Sequence, residues 1–178
     1  GVVAALKSLK AYSLIADVQK LPHILVVGTA ALRDASDGRD FIAKAKEQTG
    51  LDIRVISGDE EATYAARGVM MLDPSADGVV ADFGGGSLEL ARIASGKVLA
   101  TVSLPLGAYR VEAMGDSAQD KVVALLKAQN SIFCGGRLYG IGGSWRSLCK
   151  MYGDHSGQTI EIIPSQAMID FCHFIETQ

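Results

Sequence analysis

A short apolar strand that runs into three glycines constrains this chain more than any other feature. Residues 79–81 are typical of a buried strand, and Gly84, Gly85, Gly86 and Ser87 follow shortly after it. Consecutive glycines let backbone N–H groups approach a ligand closely, and such a turn can bind phosphate oxygens. A plain tight turn explains the same glycines without a ligand. The segment lacks both the P-loop pattern and the dinucleotide-binding pattern.

Hydrophobic periodicity predicts strands that alternate with helices, which indicates an α/β fold. Strands are predicted at 23–27, 52–57, 79–81, 90–94, 98–104 and near 138–141, the first of them buried. Helices are predicted at 2–17, 39–49, 58–72 and about 117–128, after the glycines at 142–143, and from Pro164 onward. Turn-forming residues at 73–78 are the best boundary candidate, and we expect two lobes, 1–76 and 77–178.

Charge and hydropathy exclude several classes of protein. The net charge of −3 argues against nucleic-acid binding, which usually needs a basic face. No apolar run approaches the roughly 20 residues of a membrane span, so neither a nucleic-acid nor a membrane partner is expected. The histidines and cysteines lack zinc-ligand spacing, and we expect reduced, packed thiols. The absence of a leader and of an initial methionine predicts a cytoplasmic protein trimmed at its N-terminus.

Two acids flank the glycine segment, Asp82 before it and Glu89 after it. Carboxylate oxygens beside a phosphate-sized turn suit Mg²⁺ held partly through water. The structural alternative makes Asp82 a strand-end residue bonded to nearby backbone amides and Glu89 a solvated strand residue. Spacing favours the metal-binding interpretation.

A third acidic group lies at the predicted start of a helix, where Asp59, Glu60 and Glu61 are consecutive. The helix dipole favours carboxylates at this position by about 0.3–1 kcal/mol each, which explains two acids without any function. The functional alternative is that one of them faces a cleft and orients a water molecule.

Two further segments suit an anion. Gly142, Gly143 and Ser144 precede a predicted helix, whose free N–H groups attract anions, although Ser144 could equally be a helix cap. Arg33 has the guanidinium geometry that phosphate oxygens favour, although the adjacent Asp34 could make it a structural ion pair. Trp145 is expected in the core rather than stacked on a base.

Five ordered segments across about residues 1–152 give a specific resemblance. They are TAALRDA, ISGDEEA, VVADFGGGSLEL, SLPLGAYR and YGIGGSWRSL. Together they resemble the exopolyphosphatase / guanosine pentaphosphate phosphohydrolase family, which has the two-lobed actin-like (ribonuclease H-like) ATPase fold. The resemblance implies Mg²⁺-dependent hydrolysis of the terminal phosphoanhydride of inorganic polyphosphate or guanosine pentaphosphate, in a cleft between the lobes. It also implies that guanosine tetraphosphate can bind and that the protein can form a homodimer.

Roles carry over by motif. The resemblance implies that Glu61 is the water-activating base and that Asp82 and Glu89 bind the metal. It implies a set of phosphate-binding residues, namely Gly84, Gly85, Gly86, Ser87, Gly142, Gly143, Ser144 and Arg33.

The sequence also departs from the family pattern. The usual first phosphate-binding loop, of DxGSNS type, does not occur, so the first lobe is expected to be incomplete. Leu88 and Ala30 stand where the family usually has hydroxyl residues. Two alternatives to hydrolysis therefore stay open, namely a non-catalytic phosphate- or guanosine-polyphosphate-binding module and, less favoured by the motif details, an ATP-dependent kinase.

Overall fold

The computed structural model describes residues 1–133, 136–157 and 162–177. The first half contains α1 (Val2–Val18), β1 (Val26–Gly28), α2 (Ala30–Arg33), α3 (Gly38–Thr49), β2 (Ile53–Val55) and α4 (Gly58–Leu72). The second half contains β3 (Gly78–Phe83), β4 (Leu88–Ala94), β5 (Lys97–Leu104), α5 (Ala108–Ala113), α6 (Ala118–Lys127), β6 (Arg137–Ile141), α7 (Gly143–Ser156) and α8 (Ser165–Glu176).

The strands form two sheets. β1 and β2 pair in parallel, with Val27 opposite Arg54. The other sheet has the order β5-β4-β3-β6, and β3 is antiparallel to β4 and parallel to β6. The predicted α/β class is confirmed, and so is the hairpin of β4 and β5, which turns at Ser95 and Gly96.

Both faces of the four-stranded sheet are covered. Side chains alternate along β3, so Val80 faces one side while Val79 and Ala81 face the other. On the first side, Ala62 and Ala66 of α4 pack against the sheet. On the second side, the cluster contains residues from the segment after β5 and from α5, α6 and α7, namely Leu106, Val111, Met114, Val122, Leu125 and Trp145. The core position predicted for Trp145 is confirmed.

The first predicted strand is corrected by the structure. β1 begins at Val26 rather than at His23, and it is not a buried strand. Leu25 is 79% exposed and Val27 is 41% exposed. The two-stranded sheet explains this exposure, because β1 pairs only with β2 in the described part of the chain.

Local sequence signals fix the end of α3 and the start of α4. Gly50 ends α3 in the left-handed conformation, with φ of 71°, which costs glycine no steric strain. Ser57 and Glu60 form a reciprocal capping box at the start of α4, which satisfies two otherwise free amides. The cap at the start of α7 is Gly142, so Ser144 is not the helix cap. The lobe boundary at 76–77 stays a prediction.

The cysteines only partly match the prediction. Cys149 and Cys172 are free thiols, but Cys149 is exposed rather than packed. Cys134 lies outside the described residues. No helix in residues 1–133, 136–157 and 162–177 is long and apolar enough to span a membrane.

Candidate functional site

The glycine turn (residues 84–87) is a tight connection between β3 and β4. The Gly84 N–H donates to the Ser87 carbonyl at 3.0 Å, and Ser87 is buried. A Cβ on Gly85 would lie 2.9 Å from the Tyr109 ring, and one on Gly86 would lie 3.1 Å from the Ala30 Cβ. Close packing therefore requires small residues here, in addition to any contact with a ligand.

The segment that begins α5 holds the glycine turn in place. The amides of Ala108 and Tyr109 donate to the carbonyls of Gly84 and Gly85, each at 3.0 Å. The amides of Gly85, Gly86 and Ser87 have no backbone acceptor among the residues that the structure describes. The turn therefore uses its carbonyls internally and keeps three amide donors available, as an anion-binding turn requires.

Asp82 and Glu89 are neighbours across β3 and β4. They are register partners, and Glu89 is only 2% exposed. The Ser103 hydroxyl donates to Oε1 of Glu89 at 2.7 Å. Burial raises the pKa of Asp82, and the charge of Glu89 raises it further. The structural alternative, in which Glu89 is a solvated strand residue, is therefore wrong, because Glu89 is buried and accepts a hydrogen bond from Ser103 of β5.

The second glycine pair lies on the other side of Asp82. Ile141, at the end of β6, is the register partner of Asp82, and Gly142 follows it with φ of 96°. A Cβ on Gly142 would come within 2.9 Å of Oδ1 of Asp82. Gly142 thus reaches the site, whereas Gly143 and Ser144 are exposed at the start of α7.

The three acids at the start of α4 have different partners. Asp59 accepts a hydrogen bond from the Thr101 hydroxyl at 2.9 Å. Glu60 completes the capping box and forms an ion pair with Arg54. Only Glu61 reaches the other predicted site residues, since its Oε2 lies 3.4 Å from Nη1 of Arg33. The contacts agree with the residue that the resemblance implies, and the role of Glu61 as a base stays a prediction.

The environment of Glu61 disfavours its charge. Its side chain is 19% exposed. Burial raises the pKa of Glu61 and the charge of Glu89 raises it further, whereas hydrogen bonds from Arg33 and Thr29 oppose the shift. The raised pKa makes this carboxylate a better proton acceptor than an exposed one, while Arg33 limits the shift and fixes the position of the side chain.

The side chain of Arg33 is held by a backbone carbonyl as well as by carboxylates. Its Nη1 donates to the Ile56 carbonyl at 3.0 Å, and its Nε lies 3.5 Å from Oδ1 of Asp34. Asp34 forms a second ion pair with Arg110 of α5. The structure therefore supports both interpretations of Arg33, as a cation at the site and as a partner of Asp34.

A cavity of about 280 Å³, which we call the cleft cavity, lies beside these groups, and Glu61 adjoins it through its contact with Arg33. Its lining includes Arg33, Arg110 and the backbone of Gly86 and Ser87. Gly58 lies against Ser103, where a Cβ would come within 2.2 Å of the Ser103 side chain. The absence of a side chain at Gly58 therefore lets α4 approach β5 closely, which places Glu61 near Glu89.

Sequence reasoning missed three residues at this site, Ser103, Gly107 and Arg110. A Cβ on Gly107 would lie 2.3–2.4 Å from backbone atoms of the glycine turn. All three residues belong to the segment SLPLGAYR, in which Ser103 is the first residue and Arg110 the last. The motif that carried the resemblance therefore already contained them.

The donor set for a metal is small. No group of three or more histidine, cysteine, aspartate or glutamate side chains lies together in the part of the chain that the structure describes. A divalent ion at Asp82 and Glu89 would therefore complete its coordination with water or phosphate oxygens, as Mg²⁺ commonly does.

Known proteins resemble this chain both in sequence and in fold. A sequence model of the Ppx/GppA phosphatase family matches residues 2–129. The crystal structure of an exopolyphosphatase from Cytophaga hutchinsonii is 27% identical, with a TM-score of 0.74, and the match covers 89% of this chain and 56% of that one. A Ppx/GppA family member from Aquifex aeolicus is 24% identical, with a TM-score of 0.69, over 93% and 56% of the two chains.

This chain therefore spans a little over half the length of these solved structures. The α/β fold class expected from the sequence is confirmed, and the chain shares its fold with these two solved structures.

Proposed function

Because this chain belongs to the Ppx/GppA phosphatase family, we propose that it hydrolyses the terminal phosphoanhydride bond of inorganic polyphosphate. Guanosine pentaphosphate contains a bond of the same chemical type, so we extend the proposal to it as a second substrate. The observation that carries the proposal is the position of Glu61, a partly desolvated carboxylate that contacts Arg33, and Arg33 lines the cleft cavity.

Glu61 would act as the base. In the proposed reaction it accepts a proton from a water molecule as the water oxygen attacks the terminal phosphorus. The bond from that phosphorus to the bridging oxygen breaks, and the electron pair leaves with the shortened chain. Phosphoryl transfer depends mainly on positioning and on charge stabilisation, so direct attack needs no covalent intermediate.

The phosphoryl oxygens would be bound by two kinds of donor. Three amides of the glycine turn are available among the described residues, and fixed amides stabilise developing charge without reorganisation. Arg33 adds a cation whose position is set by the Ile56 carbonyl. Gly142, Gly143 and Ser144 would supply a further set of donors on the opposite side of Asp82.

Asp82 and Glu89 fit a divalent cation. They are adjacent carboxylates. Burial raises the pKa of Asp82 and the charge of Glu89 raises it further, and a cation between them would relieve that repulsion. The absence of a Cβ at Gly142 leaves space beside Oδ1 of Asp82. Mg²⁺ held there would neutralise charge on the phosphoryl oxygens.

A second candidate function is binding of the same phosphate compounds without hydrolysis. Two observations favour it: Leu88 replaces the hydroxyl residue usual after the glycine turn, and Glu61 is already engaged by Arg33. In this alternative the cleft would bind the ligand, but no phosphate would be released.

The substitution Glu61→Gln tests the proposed function. It removes the proton acceptor with little change in size, and general bases typically contribute about 10²–10⁴-fold to the rate. We expect kcat for phosphate release from long-chain polyphosphate to fall at least 100-fold. Polyphosphate binding should stay within about threefold, because the phosphate-binding donors are unchanged.

Glu60→Gln is the matched control. It removes the same charge one residue away, and glutamine can keep the capping box that Glu60 forms. We expect kcat within about twofold of the unsubstituted chain. Equal losses of kcat in both variants would reject Glu61 as the base, and polyphosphate binding without any release would favour the binding module.

A further inference from the structure

Asp34 places a carboxylate between two arginines at the edge of the cleft cavity. Its Oδ1 lies 3.5 Å from Nε of Arg33, and its Oδ2 pairs with Nη2 of Arg110. All three residues line the cleft cavity together with Gly86 and Ser87. Asp34 therefore occupies a position between two guanidinium groups that a phosphate oxygen would also favour.

The two arginines depend on Asp34 to different degrees. Arg33 has two other partners, the Ile56 carbonyl and Glu61, and its side chain is 24% exposed. For Arg110, Asp34 is the one side-chain partner found among the described residues, and the side chains of both are 41% exposed. Arg33 would keep its place without Asp34, whereas Arg110 would be released.

The backbone of Arg110 stays close to the phosphate-binding turn in either case. The two residues before it donate to the carbonyls of Gly84 and Gly85, and the Arg110 amide bonds to the Gly107 carbonyl at 2.9 Å. Only its side chain needs to move to exchange partners. A half-exposed ion pair contributes little to stability, so this exchange would cost the fold little.

We propose that Asp34 is an internal competitor for Arg110, and that Arg110 exchanges this carboxylate for the second phosphoryl group of a condensed phosphate. The proposal rests on the proposed function, since it assumes that the terminal phosphoryl group lies at the glycine turn. A condensed phosphate carries more charge than one carboxylate, so it competes well for the guanidinium. A single phosphate ion would occupy the turn alone and would gain little from Arg110.

The test measures binding rather than turnover, so it does not depend on hydrolysis. Calorimetric titration of tripolyphosphate in EDTA at low ionic strength is compared for the unsubstituted chain and three variants. Removing the competitor with Asp34→Asn should tighten the Kd about 2- to 5-fold, the range expected for a partly exposed charge pair. Arg110→Gln should weaken binding by a similar factor, and the double variant should bind no more tightly than Arg110→Gln. The Kd of inorganic phosphate should change less in each case.

Asp37→Asn is the matched control, because Asp37 is exposed at the N-cap of α3 and makes no side-chain cap bond. It gives the same change in net charge, and we expect a smaller change in Kd than for Asp34→Asn. Thermal unfolding verifies that each variant is folded. If Asp34→Asn does not fold, the same Kd is measured for Asp34→Ser.

The alternative is that the Asp34–Arg110 pair is only structural. Removing Asp34 would then leave tripolyphosphate binding unchanged or weaker, and that result would overturn the proposal, as would a gain that persists in the double variant. An absence of tripolyphosphate binding by the unsubstituted chain would also overturn it. Tight binding with the predicted pattern but no phosphate release would leave the exchange standing and reject the hydrolysis.

Discussion

Asp82 is the residue whose proposed role in metal binding conflicts most directly with the stability of the fold. Burial and the charge of Glu89 both raise its pKa. A carboxyl with a higher pKa in the folded chain than in the unfolded chain favours folding less once it is ionised. The ionised Asp82 therefore lowers the free energy of unfolding at neutral pH. This effect disappears as the pH falls below the pKa of aspartate in the unfolded chain, which is about 3.9.

We accordingly expect Asp82→Asn to raise the free energy of unfolding at pH 7 in EDTA by roughly 0.5–2 kcal/mol, the usual range for a stabilising substitution. The gain should shrink steadily between pH 7 and pH 3.5. Urea denaturation at several pH values measures it, with Asp37→Asn as an exposed control. A loss of stability at pH 7 would contradict the account, since it would mean that the Asp82 carboxylate has a stabilising partner.

Residue roles at the start of α4 also show where sequence reasoning stops. Asp59, Glu60 and Glu61 are equivalent in any argument from the helix dipole. They differ only because Thr101 and Arg54 engage the first two. The contact from Thr101 comes from β5, 42 residues along the chain, whereas Arg54 lies in β2, six residues before Glu60. Arg110 differs from these acids, because it lies in SLPLGAYR, one of the segments that carried the family resemblance, and could have been predicted from it.

At the scale of elements, the glycine turn depends on the segment that begins α5. Gly107 has φ of −67°, which alanine adopts without strain, but a Cβ there would lie 2.3 Å from Gly86 C and Ser87 N. Gly107→Ala should therefore displace the turn and destabilise the protein by about 1–3 kcal/mol, as overpacking commonly does. It should also weaken tripolyphosphate binding.

Gly68→Ala is the control for this substitution, and urea denaturation measures both. Gly68 is exposed within α4, and a Cβ there has no neighbour within 4 Å. Alanine in a helix interior is favoured over glycine by roughly 0.5–1 kcal/mol, so the control should stabilise the chain. Equal stability of Gly107→Ala and the unsubstituted chain would show that α5 does not pack on the turn as described.

Long elements with a clear period were predictable, and short ones were not. α3, α4 and the β4–β5 hairpin have strong periodic patterns and matching end signals, and the structure confirms them. α2 has four residues and α5 has six, too few for a helical period to be recognised. The burial expected at Leu25 and Val27 was wrong because strand composition does not reveal how many neighbours a strand has.

At the scale of the whole molecule, the proposed site is assembled from segments far apart in sequence. Asp82 and Glu89 come from the middle of the four-stranded sheet, Glu61 from a helix packed on that sheet, and Arg33 from the segment that follows β1. The sheet, with helices on both faces, holds the carboxylates rigidly. We propose that this arrangement, within these 178 residues, releases phosphate from polyphosphate.

The most direct measurement is phosphate release from long-chain polyphosphate by the purified chain, with Mg²⁺ and with EDTA, beside its Glu61→Gln variant. We expect steady release with Mg²⁺, loss of release in EDTA, and at least 100-fold less release by the variant, in line with the contribution of a general base. Release that persists in EDTA or in the variant would contradict the assigned roles of the metal or of Glu61. No release under any of these conditions would contradict the proposed hydrolysis itself.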